Sequence, residues 1–397
     1  MIYRAATYLA GAVLRGAAPL AGPEARQRMV LDAGPPDVSG GVWLHGASVG
    51  ELNSARVLAS HLAAAVPVLV TANSVTGRAV AQGWGLPARL APLDVPGAVE
   101  RFLDAARPAL VVTIENEIWP NRAASARRRG IAQAVVGARM SARSAARWAR
   151  MRGLVAPVLG GLDLLSAQDA ATERRLAALG LRPQALAPRT NLKLMGPAAW
   201  PPVAPDARRD ATWLAASTHE GEDEIVLDAH AALRATRPRL RLILAPRHPR
   251  RADAVAALAR ARGLSLARWR DGPDPDAAVT LIDRLGVMRP AAAAAGLCLV
   301  AGSLSDRGGH TPWEPAACGC ALLHGPDVSN FAQDFARLAA AGAARAITGA
   351  TLAAAVGALA DDPAAARAMG AAARATLDRE APDPAALTAR LLALLGR

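Results

Sequence analysis

Val42-Trp43-Leu44-His45-Gly46-Ala47-Ser48-Val49-Gly50-Glu51 begins as an apolar run of strand length, turns at a glycine, and ends with Ser48 and Glu51 spaced as at a helix start. The order strand, glycine loop, helix returns in weaker form from Trp213-Leu214-Ala215-Ala216-Ser217-Thr218, so the chain reads as two units of one kind. Further short apolar runs lie at 68–71, 109–114, 132–136, 240–245 and 296–301, separated by longer Ala-rich stretches of helical period. That alternation predicts α/β architecture with parallel sheets covered by helices. A Pro-rich stretch, 197–205, interrupts the pattern near the midpoint. The expected organisation is a segment 1–22, a Rossmann-like domain over 23–197 and a second over 198–397. Residues 352–395 read as helices broken at Pro363 and Pro382, without visible chemistry.

Composition narrows the partners. Hydrophobic residues make up 52% of the chain but aromatics only 3%, so the cores must be built from Ala, Leu and Val. The net charge of +13 favours anionic ligands such as phosphosugars, lipid headgroups or nucleic acid. Nearly every basic residue is arginine, and Lys193 is the single lysine. Cys298, Cys318 and Cys320 match neither a disulfide framework nor a zinc site and are expected as reduced, packed thiols. Within 1–22, Arg4 and Arg15 leave only about ten uninterrupted apolar residues, short of the roughly 20 that span a bilayer. Ile2, Leu9 and Val13 fall opposite the two arginines on a helix, the pattern of an interfacial amphipathic segment. A signal peptide and a surface helix packed on its own domain are the alternatives.

In open parallel sheets ligands bind beyond the carboxyl ends of the strands, so residues after each apolar run are the candidates for chemistry. Glu51 reads either as a general base or as the acid of a capping box with Ser48. Gly46 and Gly50 favour close approach of backbone to a ligand. Glu115-Asn116-Glu117-Ile118-Trp119-Pro120-Asn121 places two carboxylates directly after a strand, as paired acids or as exposed helix-start residues. Arg139 and Lys193 are cations that face an anion or solvent. In the second half, Pro246-Arg247-His248-Pro249 ends a strand. The stretch Gly308-Gly309-His310-Thr311-Pro312-Trp313-Glu314-Pro315 follows Gly302-Ser303-Leu304 and reads as a glycine loop entering a helix. Free backbone N–H groups there suit a phosphate, with Glu314 accepting from ribose hydroxyls. No G-x-x-x-x-G-K-[ST] loop is present, and no G-x-G-x-x-G follows the first strand. Asp274-Pro275-Asp276 reads as a solvated turn rather than a metal site. Arg127-Arg128-Arg129 lacks the interleaved aromatics of a nucleic-acid platform.

Taken in order, these segments resemble the 3-deoxy-D-manno-octulosonic acid (Kdo) transferases. The likeness also takes in Ala91-Pro92-Leu93-Asp94, Ala138-Arg139-Met140-Ser141, Asn191-Leu192-Lys193, Ser217-Thr218-His219-Glu220-Gly221-Glu222 and Asn330-Phe331. The resemblance implies a glycosyltransferase-B fold, two Rossmann-like domains whose parallel sheets face a central cleft. It implies inverting transfer of Kdo from CMP-Kdo to a lipid A precursor of the lipid IVA type in lipopolysaccharide inner-core synthesis. It further implies no metal, no cofactor, no nucleic acid, and a place on the anionic cytoplasmic face of the cell inner membrane. By matching position, Glu51 would be the base, and Glu115 or Glu117 with Lys193 would support the transition state. Ser48, Gly50 and Arg139 would lie on the acceptor side. Pro246, Arg247, His248, Gly286, Gly308, Gly309, Thr311, Pro312, Trp313, Glu314 and Asn330 would hold CMP. Thr311 stands where the family usually has Asn, Val287 where it has an acid, and Thr190, Leu194 and Met195 alter the surroundings of Lys193. The rival readings are a UDP-sugar transferase or nucleotide-sugar epimerase of the same fold, and a basic binding protein with its arginines clustered on one face.

Overall fold

The structure, a computed structural model, describes residues 2–17, 20, 22–115 and 117–396, the side chain of Ile2 apart. Asn116, within the first acidic motif, lies outside the described residues, as does the side chain of Ile2 in the proposed amphipathic face. The chain divides into two compact units, one of Met1–Gly196 with Ala381–Arg397 and one of Pro197–Glu380.

In the first unit the described strands are β1 (Val42–His45), β2 (Val68–Ala72), β3 (Ala88–Leu90), β4 (Leu110–Ile114), β5 (Ala132–Ala138) and β6 (Leu164–Ala167). They form one parallel sheet in the order β3-β2-β1-β4-β5-β6, the doubly wound arrangement. β1, β2, β4 and β6 are buried along their whole length because helices cover both faces, which is why they read as unbroken apolar runs. Serine or aspartate side chains cap the entering helices, Ser48 before Val49–Ala63, Ser74 before Val75–Gln82 and Asp169 before Ala170–Leu179.

The second unit repeats the design with β7 (Thr212–Thr218), β8 (Arg241–Pro246), β9 (Leu266–Arg268), β10 (Val279–Leu281), β11 (Leu297–Val300), β12 (Ala321–His324) and β13 (Ala344–Ala346). Their order is β13-β12-β11-β7-β8-β10-β9, again parallel throughout. The sequence echo between the two halves has a physical basis. Trp43 on β1 and Trp213 on β7 are both fully buried. Each indole donates to a buried polar partner, Trp43 to Thr71 Oγ1 and Trp213 to His230 Nδ1. The three cysteines are free and buried, and burial pushes all three thiols above their usual range.

Two expectations about the ends of the chain need correcting. The second domain does not continue to the C-terminus, because Leu387, Leu391 and Leu394 on and after the last helix, Pro384–Leu392, are buried in the core of the first unit. At the other end, the helix Ile2–Gly16 has the packed face of the surface-helix alternative. Tyr3 donates to Asp94 at 2.9 Å, Thr7 accepts from Asn121 at 2.9 Å, and a Cβ on Gly11 would meet Val95 at 3.2 Å, so one face is packed on its own unit. Leu9 and Val13 face away and stay 67% and 72% exposed. No helix among the described residues is long and apolar enough to cross a membrane.

Candidate active site

The strand order of the first sheet reverses between β1 and β4, and the first group of candidate residues gathers beyond their carboxyl ends. Glu51 lies in the first turn of the helix Val49–Ala63. The cap is real: Glu51 N donates to Ser48 Oγ at 3.2 Å, and the carboxylate accepts from Ala47 N at 2.7 Å and from the Ser48 hydroxyl at 3.2 Å. It is also a perturbed acid. Burial raises its pKa, the Ala47 N–H opposes this, and the negative charges of Glu115 and Glu117 push it further up. The two glycines of the motif part company. A Cβ on Gly46 would come within 2.9 Å of Leu52, so packing accounts for it, whereas a Cβ on exposed Gly50 would meet only Ser48 Oγ at 3.8 Å.

Glu115 sits one residue past β4 with φ of 58°, a strained setting for a side chain of its size. Its backbone N–H donates to Val136 O at 3.0 Å, and its carboxylate lies 3.6 Å from Lys193 Nζ. Lys193 belongs to a single 3-10 turn, Leu192–Leu194, whose flanking leucines are buried and whose backbone is capped by Asn191. The lone lysine is thus presented to the acidic cluster by an anchored turn. Glu117 accepts from Asn73 Nδ2 at 3.2 Å and from Trp119 Nε1. Burial alone would raise its pKa, but these donors and His45 outweigh it and hold the carboxyl below its usual range. Two neighbouring acids are therefore pushed apart, Glu51 upward and Glu117 downward, which is how acid and base roles are commonly divided. Ser48 and Gly50 flank Glu51 on the exposed side, and Arg139 is exposed just after β5.

The backbone around Glu117 is held by Asp94 and Asn121 together with Arg122, the residue after the acidic motif. Asp94 accepts from Asn121 N at 3.0 Å, Arg122 N at 2.8 Å and the Tyr3 hydroxyl. The Arg122 guanidinium, buried beneath the site, donates to the Glu117 carbonyl and Thr113, both at 3.2 Å. Arg128 and Arg129 pair with Glu100, and Arg129 also with Asp104, so the basic run is largely neutralised.

In the second unit the order reverses between β7 and β11. Glu222, fully buried, accepts from His219 N, Gly302 N and Leu304 N at 2.8–2.9 Å and so ties the two strand ends together. His219 and His310 meet at 2.9 Å between their Nε2 atoms, and a Cβ on Gly302 would strike the His310 ring at 2.8 Å. Burial, with the neighbouring His219 and Arg247, lowers His310 to about 4. Arg247 and His248 are exposed just beyond β8, where Pro246 ends the strand. Gly286 turns an exposed loop with φ of 84°.

Two of the donors expected to face a phosphate are engaged within the protein itself. The N–H groups of Gly308 and Gly309 are already used, by Asp327 and Gly302 O at 2.8 Å each. Both residues have positive φ, and a Cβ on Gly308 would also displace the Asn330 side chain. Asn330 donates to Arg307 O, bracing the loop from behind. Pro312 is the N-cap of a helix only five residues long, Trp313–Ala317, and Thr311 makes only a 3.4 Å contact with Trp313 N. Thr311 and Glu314 have the spacing of a capping box, but none forms. Glu314 is instead a half-buried carboxyl whose pKa burial raises, beside a buried Trp313 whose indole N–H has no hydrogen-bond partner. Asp274 accepts from Asp276 N and Ala277 N in a self-contained turn. Among the described residues no cluster of three or more metal-ligating side chains occurs.

Comparison with known proteins bears on this arrangement. A family profile described as 3-Deoxy-D-manno-octulosonic-acid transferase (kdotransferase) matches residues 21–195. A 3-deoxy-D-manno-octulosonic acid transferase of Bordetella pertussis is 37% identical over 330 residues, 78% of this chain and 77% of the relative. That of Haemophilus influenzae is 32% identical over 319 residues, 75% of this chain and 73% of the relative. The UDP-GlcNAc 2-epimerase of Neisseria meningitidis, solved with UDP-GlcNAc, shares the fold with a TM-score of 0.59 at 12% identity, covering 89% of this chain and 99% of that one. The fold is thus of the glycosyltransferase-B type, with two parallel-sheet α/β domains.

Proposed function

Since the chain belongs to the Kdo transferase family of lipopolysaccharide synthesis, we propose that it transfers Kdo from CMP-Kdo to a lipid A precursor of the lipid IVA type, with inversion and with Glu51 as general base. The acceptor hydroxyl gives its proton to Glu51 as its oxygen bonds to the anomeric carbon. The bond from that carbon to the CMP phosphate breaks, and CMP leaves with the electron pair. The observation that carries the reading is the opposed perturbation of Glu51 and Glu117 beside the Glu115–Lys193 pair. A carboxyl with a raised pKa is a better base near neutral pH, while ionised Glu117 favours the positive charge that develops on the sugar. On the donor side Arg247 and the Glu314 carboxyl are the groups suited to phosphate and ribose.

The test is incubation with CMP-Kdo generated in situ and a lipid A precursor, followed by mass spectrometry of the lipid. A mass increment of one or more Kdo units is expected, and an unchanged lipid would overturn the reading. The increment should persist in EDTA, because the Arg247 guanidinium can take up the phosphate charge. Loss on chelation and recovery with magnesium would require a metal site.

The exposed side of the helix Ile2–Gly16 fits the surface on which such an acceptor resides. Deleting residues 1–22 would also strip Asp94 and Asn121 of Tyr3 and Thr7, so charged replacements are the cleaner probe. Leu9→Glu with Val13→Glu should weaken co-sedimentation with anionic vesicles roughly tenfold or more, since each side chain gives up apolar burial. Equal sedimentation at physiological salt would remove this helix from membrane binding.

A further inference from the structure

His45 ends β1 with its ring wholly buried, and its Nε2 is a buried polar atom without a hydrogen-bond partner. That atom lies 3.7 Å from Glu117 Oε2. Its neighbours determine which ring nitrogen carries the proton. Trp43 Nε1, which can only donate, gives its proton to Thr71 Oγ1 at 2.7 Å. The Thr71 hydroxyl stands 2.9 Å from His45 Nδ1 and has one proton of its own to give. Donated to Nδ1, that proton leaves the ring hydrogen on Nε2, facing the carboxylate. The opposite tautomer would turn a lone pair toward Glu117 and send the Nδ1 proton to Thr71, either to its backbone, which also approaches the ring, or to a hydroxyl that already accepts from Trp43.

We propose that His45 is a positioning residue: as the neutral Nε2–H tautomer it donates to Glu117 and, with Asn73 and Trp119, keeps that carboxylate ionised and fixed in place. The proposal rests on the reading of these strand ends as the catalytic site. A ring kept only for packing has no need of a nitrogen in this place, since buried donors in native proteins are nearly always paired. The 3.7 Å separation is within reach of the tightening that catalytic contacts undergo when substrate binds. Burial, assisted by the Arg122 charge, lowers His45 to about 4, so it stays neutral at working pH. The other charged groups facing the pair are Arg28, Glu51, Glu115 and Arg122, each on a different element.

The test compares His45→Leu, which removes the donor, with His45→Gln, which restores an N–H near the same place. In the intact protein, kcat and KM are followed from pH 5 to 9 together with thermal unfolding and CMP binding. His45→Leu should lose roughly tenfold or more in kcat, the scale of a charge-assisted hydrogen bond, with KM and CMP affinity little changed. The acid limb of its profile should move to higher pH because Glu117 has lost a donor, and His45→Gln should recover most of the loss. In the ¹⁵N-histidine-labelled parent, the ring signal that His45→Gln removes should keep the neutral Nε2–H pattern from pH 5.5 to 8. An Nδ1–H pattern, an ordinary titration near the usual histidine pKa, or full activity of His45→Leu would overturn the proposal. Should His45→Leu not fold, the ring signal and the glutamine variant still decide. If the parent itself transfers no sugar, the functional reading fails, while the ring signal still reports whether His45 donates to Glu117.

Discussion

Glu51→Gln should fold like the parent and transfer sugar roughly 10²- to 10⁴-fold more slowly. The substitution isolates proton acceptance because the amide oxygen can still accept from Ala47 N, the stronger of the two contacts that the carboxylate makes in the cap. A residue that only capped the helix would cost at most about 1 kcal/mol on replacement and leave turnover nearly intact. The pH dependence gives a second criterion. A base must be deprotonated to act, and burial raises the Glu51 pKa, so the parent should lose activity with falling pH earlier than an ordinary glutamate would dictate. The sign for stability is the reverse. A carboxyl that binds its proton more tightly in the folded state makes its contribution below the unfolded-state pKa and loses it as pH rises through the folded value. Glu51→Gln should therefore be no less stable near neutral pH than the lost cap contact alone implies. Near-normal turnover in a well-folded, CMP-binding variant would reject the assignment and turn attention to Glu115 and Glu117.

The features legible in the sequence were those with a local physical signature. The central strands announced themselves because burial on both faces demands unbroken apolar residues, as in Val68–Ala72 and Leu110–Ile114. The edge strands Ala88–Leu90, Leu266–Arg268 and Ala344–Ala346 are three residues long and partly exposed, so nothing marks them against an Ala-rich background. The last helix shows its apolar face but not which core receives it, since that choice lies in long-range packing. The site divides in the same way. Glu51, Glu115 and Glu117 stand out by their place after strands, and Lys193 as the single lysine. His45, Asp94 and Glu222 act through partners 72, 27 and 80 residues away, and no spacing rule reveals such pairs. The glycine loop shows the same division: the need of Gly308 and Gly309 for positive φ is local, but the acceptors of their N–H groups, Asp327 and Gly302, are not.

Lys193 offers the sharpest remaining test, because it is the single lysine in the chain. An amine-directed reagent can therefore modify one side chain besides the terminal amine, and the site of modification follows from the mass of a single peptide. The Lys193–Glu115 contact at 3.6 Å, with the lysine side chain 46% exposed, is by itself a surface ion pair. Such pairs contribute about 0–1 kcal/mol to stability and none of it need concern catalysis. The turn Leu192–Leu194, however, anchors the lysine beside a carboxylate held in a strained backbone conformation, and strain of this kind concentrates at working sites. If the ammonium offsets negative charge as CMP departs, Lys193→Ala should lower kcat by roughly 10²-fold or more while the unfolding temperature falls by no more than roughly 2–4 °C. Lys193→Arg keeps the charge but spreads it over a planar group of different reach, so partial activity is expected. Acetylation of the parent should abolish transfer in step with modification of Lys193, and prior binding of CMP-Kdo should slow both. Full activity in Lys193→Ala, or in protein acetylated at Lys193, would reduce the residue to a surface charge and leave Glu115 without its cation in the mechanism.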